Sequence, residues 1–206
     1  MVLALLGGGT EGTPREGARI LGIVRSDAGR HGGQFALPGG RPEAEDQSLF
    51  ETAIREAREE VGLVRPLTPV GTLGEFNTWV SRYRVTVHVG WIPEPDPWVP
   101  EDGEVAAVLE VPLTALVELH EALPRVADVW ELPIEAGYDF EPDAFRVAGR
   151  VPPRGRGHRL DRGGRSIEMP YIWGLTARVL YSFLEHAWIP ALGHAGGSDQ
   201  EDASAG

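Results

Sequence analysis

The chain has no cysteine, which excludes disulfides and thiolate metal ligands. Lysine is also absent: all nineteen basic residues are arginine, a bias that genome base composition explains plainly. No apolar run reaches the length of a membrane span. The opening "MVLALLGGG" has no basic residue ahead of its apolar stretch and is too short for a secretory core, so it reads as a first strand. These absences fit a cytoplasmic protein with no membrane partner. Positive charge is scarce as well. A net charge of −12 argues against nucleic acid as a generic partner, because phosphate backbones need a basic face. The exception is local: Arg146, Arg150, Arg154, Arg156, Arg159, Arg162 and Arg165 face one late acid, Asp161.

What is present suits one domain with a real core, since 206 residues with 42% hydrophobic and 24% charged content are ordinary for a globular chain. Residues 2–6 and 18–24 read as strands split by a Gly/Thr/Pro-rich turn. Residues 29–33 read as a loop, and "QFALPGG" as a short strand entering a Gly-Gly turn. A helix is predicted from about Gln47 to Val61, stopped by Gly62. "YRVTVHVGW" alternates as a half-buried strand does. "EVAAVLEV" is another strand, with Pro112 placed in the first turn of a following helix. Residues 122–166 look irregular and Arg-rich. "IWGLTARVLYSFLEH" is an apolar helix, and the tail from 191 to 206 is small and polar enough to be disordered. The expectation is a single α/β domain over residues 1–190.

The stretch "REAREEVGL" raises the chemical question. At 100° per residue, Glu60 lies about 40° to one side of Glu56 and Glu59 about 60° to the other, so the three carboxylates share a stripe. Phe50, Ala53, Ile54, Ala57 and Val61 form the adjoining apolar stripe. The helix therefore packs by one flank and aims carboxylates along its edge. Arg55 stands four residues before Glu59 and can pair with it. Hard divalent cations take oxygen ligands, and Mg²⁺ prefers a few carboxylates with water and phosphate. Gly39 and Gly40 would let main chain approach such a group.

With "LPGG" upstream, this stretch resembles the Nudix box, G-x5-E-x7-R-E-U-x-E-E-x-G-U with U aliphatic. Gly40, Arg55, Glu56, Glu59, Glu60, Gly62 and Leu63 match, and Ala57 is a small U. Asp46 stands where the pattern has its first glutamate, and one extra residue separates it from Arg55. The resemblance implies a mixed β-sheet sandwiched between helices (α/β/α). It further implies Mg²⁺ or Mn²⁺ held by Glu56, Glu59, Glu60 and the Gly40 carbonyl, with Arg55 orienting a glutamate. The activity implied is hydrolysis of a nucleoside diphosphate linked to another group.

The extra residue is a habit of the coenzyme A pyrophosphatases, whose signature runs L-L-T-x-T-[SA]-x3-R-x3-G-x3-F-P-G-G. "ILGIVRSDAGRHGGQFALPGG" is similar to it. Gly33 and Pro38-Gly39-Gly40 sit correctly, Leu37 replaces Phe, Gly22 and Val24 replace the threonines, and the second arginine is displaced to Arg30. "YIWGLTARVL" is similar to a late helix of bacterial members. The implied reaction cleaves CoA or acyl-CoA to 3′,5′-ADP and (acyl-)4′-phosphopantetheine. Other readings are hydrolysis of another derivative such as ADP-ribose, or a nucleotide sensor without turnover. Arg25, Arg30 and His31 lead into the Gly-Gly turn and are the candidate phosphate ligands. The general base stays open among Glu56, Glu104, Glu101 and Asp102. His31, His88 and His120 have no metal-ligand spacing. Trp79, Trp91 and Trp98 either stack a base or fill the core. The partner is a small molecule, and a homodimer is left open.

Overall fold

A computed structural model of the chain describes residues 1–7, 17–26, 32–78, 83–95, 97–122, 146–150, 161–162, 165–166 and 172–195. Strands β1 (Val2–Leu6), β2 (Arg19–Arg25) and β3 (Phe35–Ala36) precede helix α1 (Leu49–Val61). Then come β4 (Thr68–Asn77), β5 (Arg84–Ile92), β6 (Val105–Pro112) and α2 (Leu113–Ala122). Short strands β7 (Arg146–Gly149), β8 (Asp161–Arg162) and β9 (Arg165–Ser166) follow. The last elements are α3 (Gly174–Phe183), a π-helical stretch Leu184–Trp188 and α4 (Ile189–Ala195).

The main sheet runs β4-β5-β1-β2-β6-β7, with β3 also paired to β2. It is mixed: β1 and β5 are parallel, and the other pairs are antiparallel. Alternation along β2 decides which layer each residue meets. Leu21 and Ile23 join Val2, Ala4 and Leu6 under Ala53, Ala57 and Val61 of α1. Ile20 and Val24 join Val87, Val89 and Leu109 on the opposite face, under Leu116 of α2 and Ala177 and Leu180 of α3. The result is a mixed sheet between helical layers, the architecture that the resemblance implies.

Several boundaries differ from the sequence reading. Strand β4 was not predicted, because Pro69, Gly71 and Gly74 mask its alternation and its ladder to β5 shifts register at Pro69/Gly71 and Thr72/Gly74. Pro112 ends β6 rather than opening α2. As the last strand residue before Leu113 it pairs with Arg19 at the sheet's end. The irregular Arg-rich segment contributes an edge strand, β7, paired to β6 through Ala107↔Gly149 and Val108↔Ala148. Helix α4 runs past residue 190 to Ala195, and the rest of the expected tail, 196–206, lies outside the described residues. Among the described residues no helix is long and apolar enough to cross a membrane.

Candidate functional site

The site is built on α1. Ser48 caps its N-terminus: Ser48 Oγ accepts from the Glu51 N–H at 3.1 Å, and Glu51 Oε2 accepts from the Gln47 N–H at 2.8 Å. At the other end Gly62 adopts φ 70°, its N–H donating to Arg58 O at 3.1 Å while the Leu63 N–H donates to Ala57 O at 3.3 Å. The helix is unbroken from Leu49, so the extra residue relative to the box is absorbed before it.

The three glutamates have different surroundings. Glu60 is 5% exposed, and its Oε2 accepts the Gly39 N–H at 2.9 Å. Burial pushes its pKa up to about 7; the Gly39 bond and Arg25 oppose the rise, and Glu56 and Glu104 add to it. Arg25, Glu56, Glu60 and Glu104 therefore sit within electrostatic reach of one another. Glu56 packs on the Gly-Gly bend: a Cβ at Gly40 would run into its carboxylate, so the missing side chain is the space that carboxylate fills. Glu59 is the most open, 55% exposed, with Oε2 2.9 Å from Arg55 Nη1. The pair expected from the four-residue spacing is present.

Arg55 divides the stripe. Its Nε and Nη2 meet Asp46 Oδ1 and Oδ2 at 3.2 Å each, Nη2 meets Glu56 Oε1 at 3.1 Å and donates to Arg41 O at 2.9 Å. The guanidinium pulls Asp46 down to about 2, with the Glu43 backbone N–H helping, and these carboxylates hold Arg55 firmly charged. Asp46 was unassigned in the sequence reading. The signal was there, since it stands at the glutamate position of the box.

Among the described residues, no three acidic or histidine side chains converge into a formed metal cluster. Glu60 turns to the Gly39–Gly40 bend and Glu59 to Arg55, with Glu56 between. The donor chemistry nonetheless fits a hard cation. A buried carboxylate flanked by like charges stays protonated near neutrality unless a cation takes the proton's place. Glu56 and Glu60 would offer that position, while Glu59 is bonded to Arg55.

The turn that carries Glu104 is fastened to this region. Glu101 N–H donates to Glu60 O at 3.0 Å, Ser26 N–H to Glu104 O at 2.8 Å, and Ser26 Oγ to Gly103 O. Glu104 precedes β6 rather than beginning it, and its N–H is capped by Glu101 Oε2 at 2.9 Å. Arg25 ends β2 beside this turn, opposite Val105. Arg30 and His31, like Trp79, lie outside the described residues. His88 is half-buried on β5, with Nδ1 3.3 Å from Thr72 Oγ1, and burial pushes its pKa down. His120 lies on the far face, Nε2 2.9 Å from Glu185. Trp98 is buried with Nε1 on Glu110 Oε1 at 2.7 Å, and Trp91 Nε1 donates to Gly7 O at 3.3 Å. Both rings are thus anchored by the fold.

Three departures from the CoA signature, at positions 22, 24 and 37, fall on the sheet's other face, and the displaced arginine lies outside the described residues. Val24 and Leu37 are core residues there, and Gly22 leaves the room filled by the Phe35 ring of that same core. Thr176, Ala177, Val179 and Leu180 of "IWGLTARVL" are buried in α3, so that segment is structural. Its Arg178 donates to Asn77 O at 2.9 Å, tying α3 to the end of β4.

Glu60 gives the metal-free protein a pH signature. A carboxyl whose folded pKa is raised contributes stability below the ordinary value of 4.5 that is lost as pH rises through about 7. Thermal unfolding of the metal-free parent should therefore show Tm falling between pH 5 and pH 8. Glu60→Gln should remove most of that slope, a difference on the order of 2–3 kcal/mol at pH 8. Identical pH profiles for parent and variant would contradict the burial argument.

The family model for the NUDIX domain matches residues 13–132. Proteins named "Uncharacterized Nudix hydrolase NudL" from Yersinia pestis (strain Pestoides F) and Yersinia pseudotuberculosis serotype O:1b are each 36% identical over 152 residues, 73% of this chain. The chain spans 63% of the length of those relatives. Among solved structures, a Nudix hydrolase from M. smegmatis, RenU, aligns with a TM-score of 0.43 at 24% identity, covering 57% of this chain and 71% of that one. The NUDIX domain of Shewanella oneidensis NrtR, complexed with ADP ribose, aligns at 0.41 and 22% identity, covering 57% of this chain and 74% of its own.

Proposed function

The chain belongs to the NUDIX family, and from that premise we propose that it is a metal-dependent pyrophosphohydrolase acting on coenzyme A or an acyl-CoA. The observation that carries the hydrolase reading is the buried carboxylate of Glu60 at the Gly39–Gly40 bend, with Glu56 against Gly40 and Arg55 bridging Asp46, Glu56 and Glu59. Relatives at 36% identity that carry the name Nudix hydrolase support it. For the substrate, support comes from the spacing of Gly33 and Pro38-Gly39-Gly40, and from the core placement of Gly22, Val24 and Leu37, three of the positions that depart from the signature.

In this reading Glu56, Glu59, Glu60 and the Gly40 carbonyl would hold Mg²⁺ or Mn²⁺. A cation held there would supply charge neutralisation to the diphosphate oxygens. Arg55, bonded to Glu56 Oε1 at 3.1 Å, would keep that carboxylate oriented toward it. Arg25, beside Glu60, receives a diphosphate oxygen. Water attacks one phosphorus, the P–O–P bond breaks, and the proton passes to a carboxylate. Glu104 is the preferred acceptor, because a Glu56 oxygen is already bonded to Arg55. The products are 3′,5′-ADP and (acyl-)4′-phosphopantetheine.

A side-by-side screen of CoA, ADP-ribose, NADH and diadenosine polyphosphates with Mg²⁺ or Mn²⁺ tests the substrate. CoA is expected to give the highest kcat/KM. Preference for ligands that lack a 3′-phosphate would retire the CoA reading and leave the hydrolase reading standing.

A further inference from the structure

An arginine beside the Gly-Gly bend is held ready without an acidic partner. Arg41 follows Gly40 directly, and its carbonyl is fixed by Arg55 Nη2 at 2.9 Å. Its neighbourhood in sequence is strongly acidic, with Glu43, Glu45 and Asp46 close by. Yet among the described residues its guanidinium pairs with no carboxylate. It lies instead over the ring of Tyr83, 4.9 Å from the centroid. Tyr83 is 51% exposed, so the stack stands open to solvent.

Both halves of this stack rest on fixed backbone. The Thr78 N–H donates to Tyr83 O at 2.8 Å, and Thr78 Oγ accepts the Tyr83 N–H at 2.9 Å. The base of the β4–β5 hairpin is thus closed just where the ring departs, and Arg178 of α3 holds the adjoining Asn77 carbonyl. Nearby cations are occupied. Arg84 faces Glu75 at 3.4 Å, Arg55 is saturated by carboxylates, and Arg25 is the arginine assigned above to the diphosphate. A guanidinium stacked by its face keeps its edge N–H groups free, and those are the groups that grip a phosphate.

We propose that Arg41, stacked on Tyr83, is a specificity residue that binds a substrate phosphate lying outside the metal-held diphosphate. This rests on the pyrophosphohydrolase reading for its place in the reaction, but the recognition itself is a binding property. For a CoA-like substrate the phosphate concerned is the one on the ribose 3′-oxygen. Tyr83 sets the plane of the guanidinium and limits what is lost when it becomes ordered on binding.

The test measures binding of 3′,5′-ADP and of 5′-AMP with Mg²⁺ present, beside kcat and KM for CoA and dephospho-CoA. The parent should bind 3′,5′-ADP at least about tenfold more tightly than 5′-AMP. Arg41→Ala should erase that preference and raise KM for CoA about tenfold with kcat nearly kept. Tyr83→Leu should lose part of it, and Arg41→Lys should restore only part, since an ammonium lacks the planar fork. Arg84→Ala, at an exposed neighbouring arginine, should change nothing. A parent without preference, or a preference that survives Arg41→Ala, overturns the proposal even if hydrolysis is normal. A preference lost in Arg41→Ala in a protein that hydrolyses nothing would uphold Arg41 as a phosphate-binding residue and refute the enzymatic reading instead.

Discussion

Glu59→Gln and Glu60→Gln should each lower hydrolysis of the best substrate by about a hundredfold to a thousandfold, while the protein stays folded. The amide keeps the shape of the side chain and removes the charge that a hard cation needs. The two variants should separate in their other properties. Glu59 is largely exposed and bonded to Arg55, so its replacement should leave stability nearly unchanged. Glu60 is buried, with its pKa raised to about 7, so its replacement should stabilise the metal-free protein above neutral pH and abolish stabilisation by added Mn²⁺. Circular dichroism establishes the fold and turnover assays the loss. Turnover by either variant equal to that of the parent would remove that glutamate from the metal site.

Arg55→Ala should be nearly as damaging, by about a hundredfold in kcat/KM, although Arg55 is not expected to touch the reacting phosphorus. Its guanidinium joins Asp46, Glu56, Glu59 and the Arg41 carbonyl. Removing it frees Glu56 and Glu59 and leaves Asp46, whose side chain is only 6% exposed, without its cation. Arg55→Lys should recover little, since one ammonium cannot meet both Asp46 oxygens and both glutamates. The pH readout distinguishes orientation from simple damage. Asp46 is held down to about 2 by Arg55, so its stabilising contribution is present above its ordinary value of 3.8 and fades as pH falls toward 2. Without Arg55 that protection is lost, and acid unfolding should begin at higher pH in both variants. Unchanged acid stability together with normal kcat/KM would contradict the bridging role.

Helix α1 was legible because several local signals agree. Ser48 and Gly62 mark its ends, and Ala53, Ala57 and Val61 recur at helical spacing. The α/β/α layering came from the resemblance to the Nudix box, whereas alternation in "YRVTVHVGW" marked only β5 as a half-buried strand. Strand β4 was hidden because its two register shifts break the period that reveals a strand. Edge strand β7 was hidden because its side chains are mostly exposed and carry no apolar alternation.

The site shows the same division. A helical wheel places Glu56, Glu59 and Glu60 on one stripe, but it measures angle and not what stands opposite. The Gly39–Gly40 bend covers Glu60 and leaves Glu59 to Arg55, a distinction set by tertiary packing. The contacts of Asp46 and Arg41 escaped for a related reason. A partner nine residues away, or one far along the chain, leaves no trace in local periodicity.

The central claim is that a divalent cation binds where Glu56 and Glu60 meet the Gly39–Gly40 bend, recruiting Glu59 from Arg55. Anomalous diffraction from a crystal soaked in Mn²⁺ tests it most directly. The expected result is a single strong peak against the Glu56 and Glu60 carboxylates, with Glu59 moved off Arg55. A bend without a peak at saturating Mn²⁺, with Glu60 still sealed against Gly39, would contradict the account.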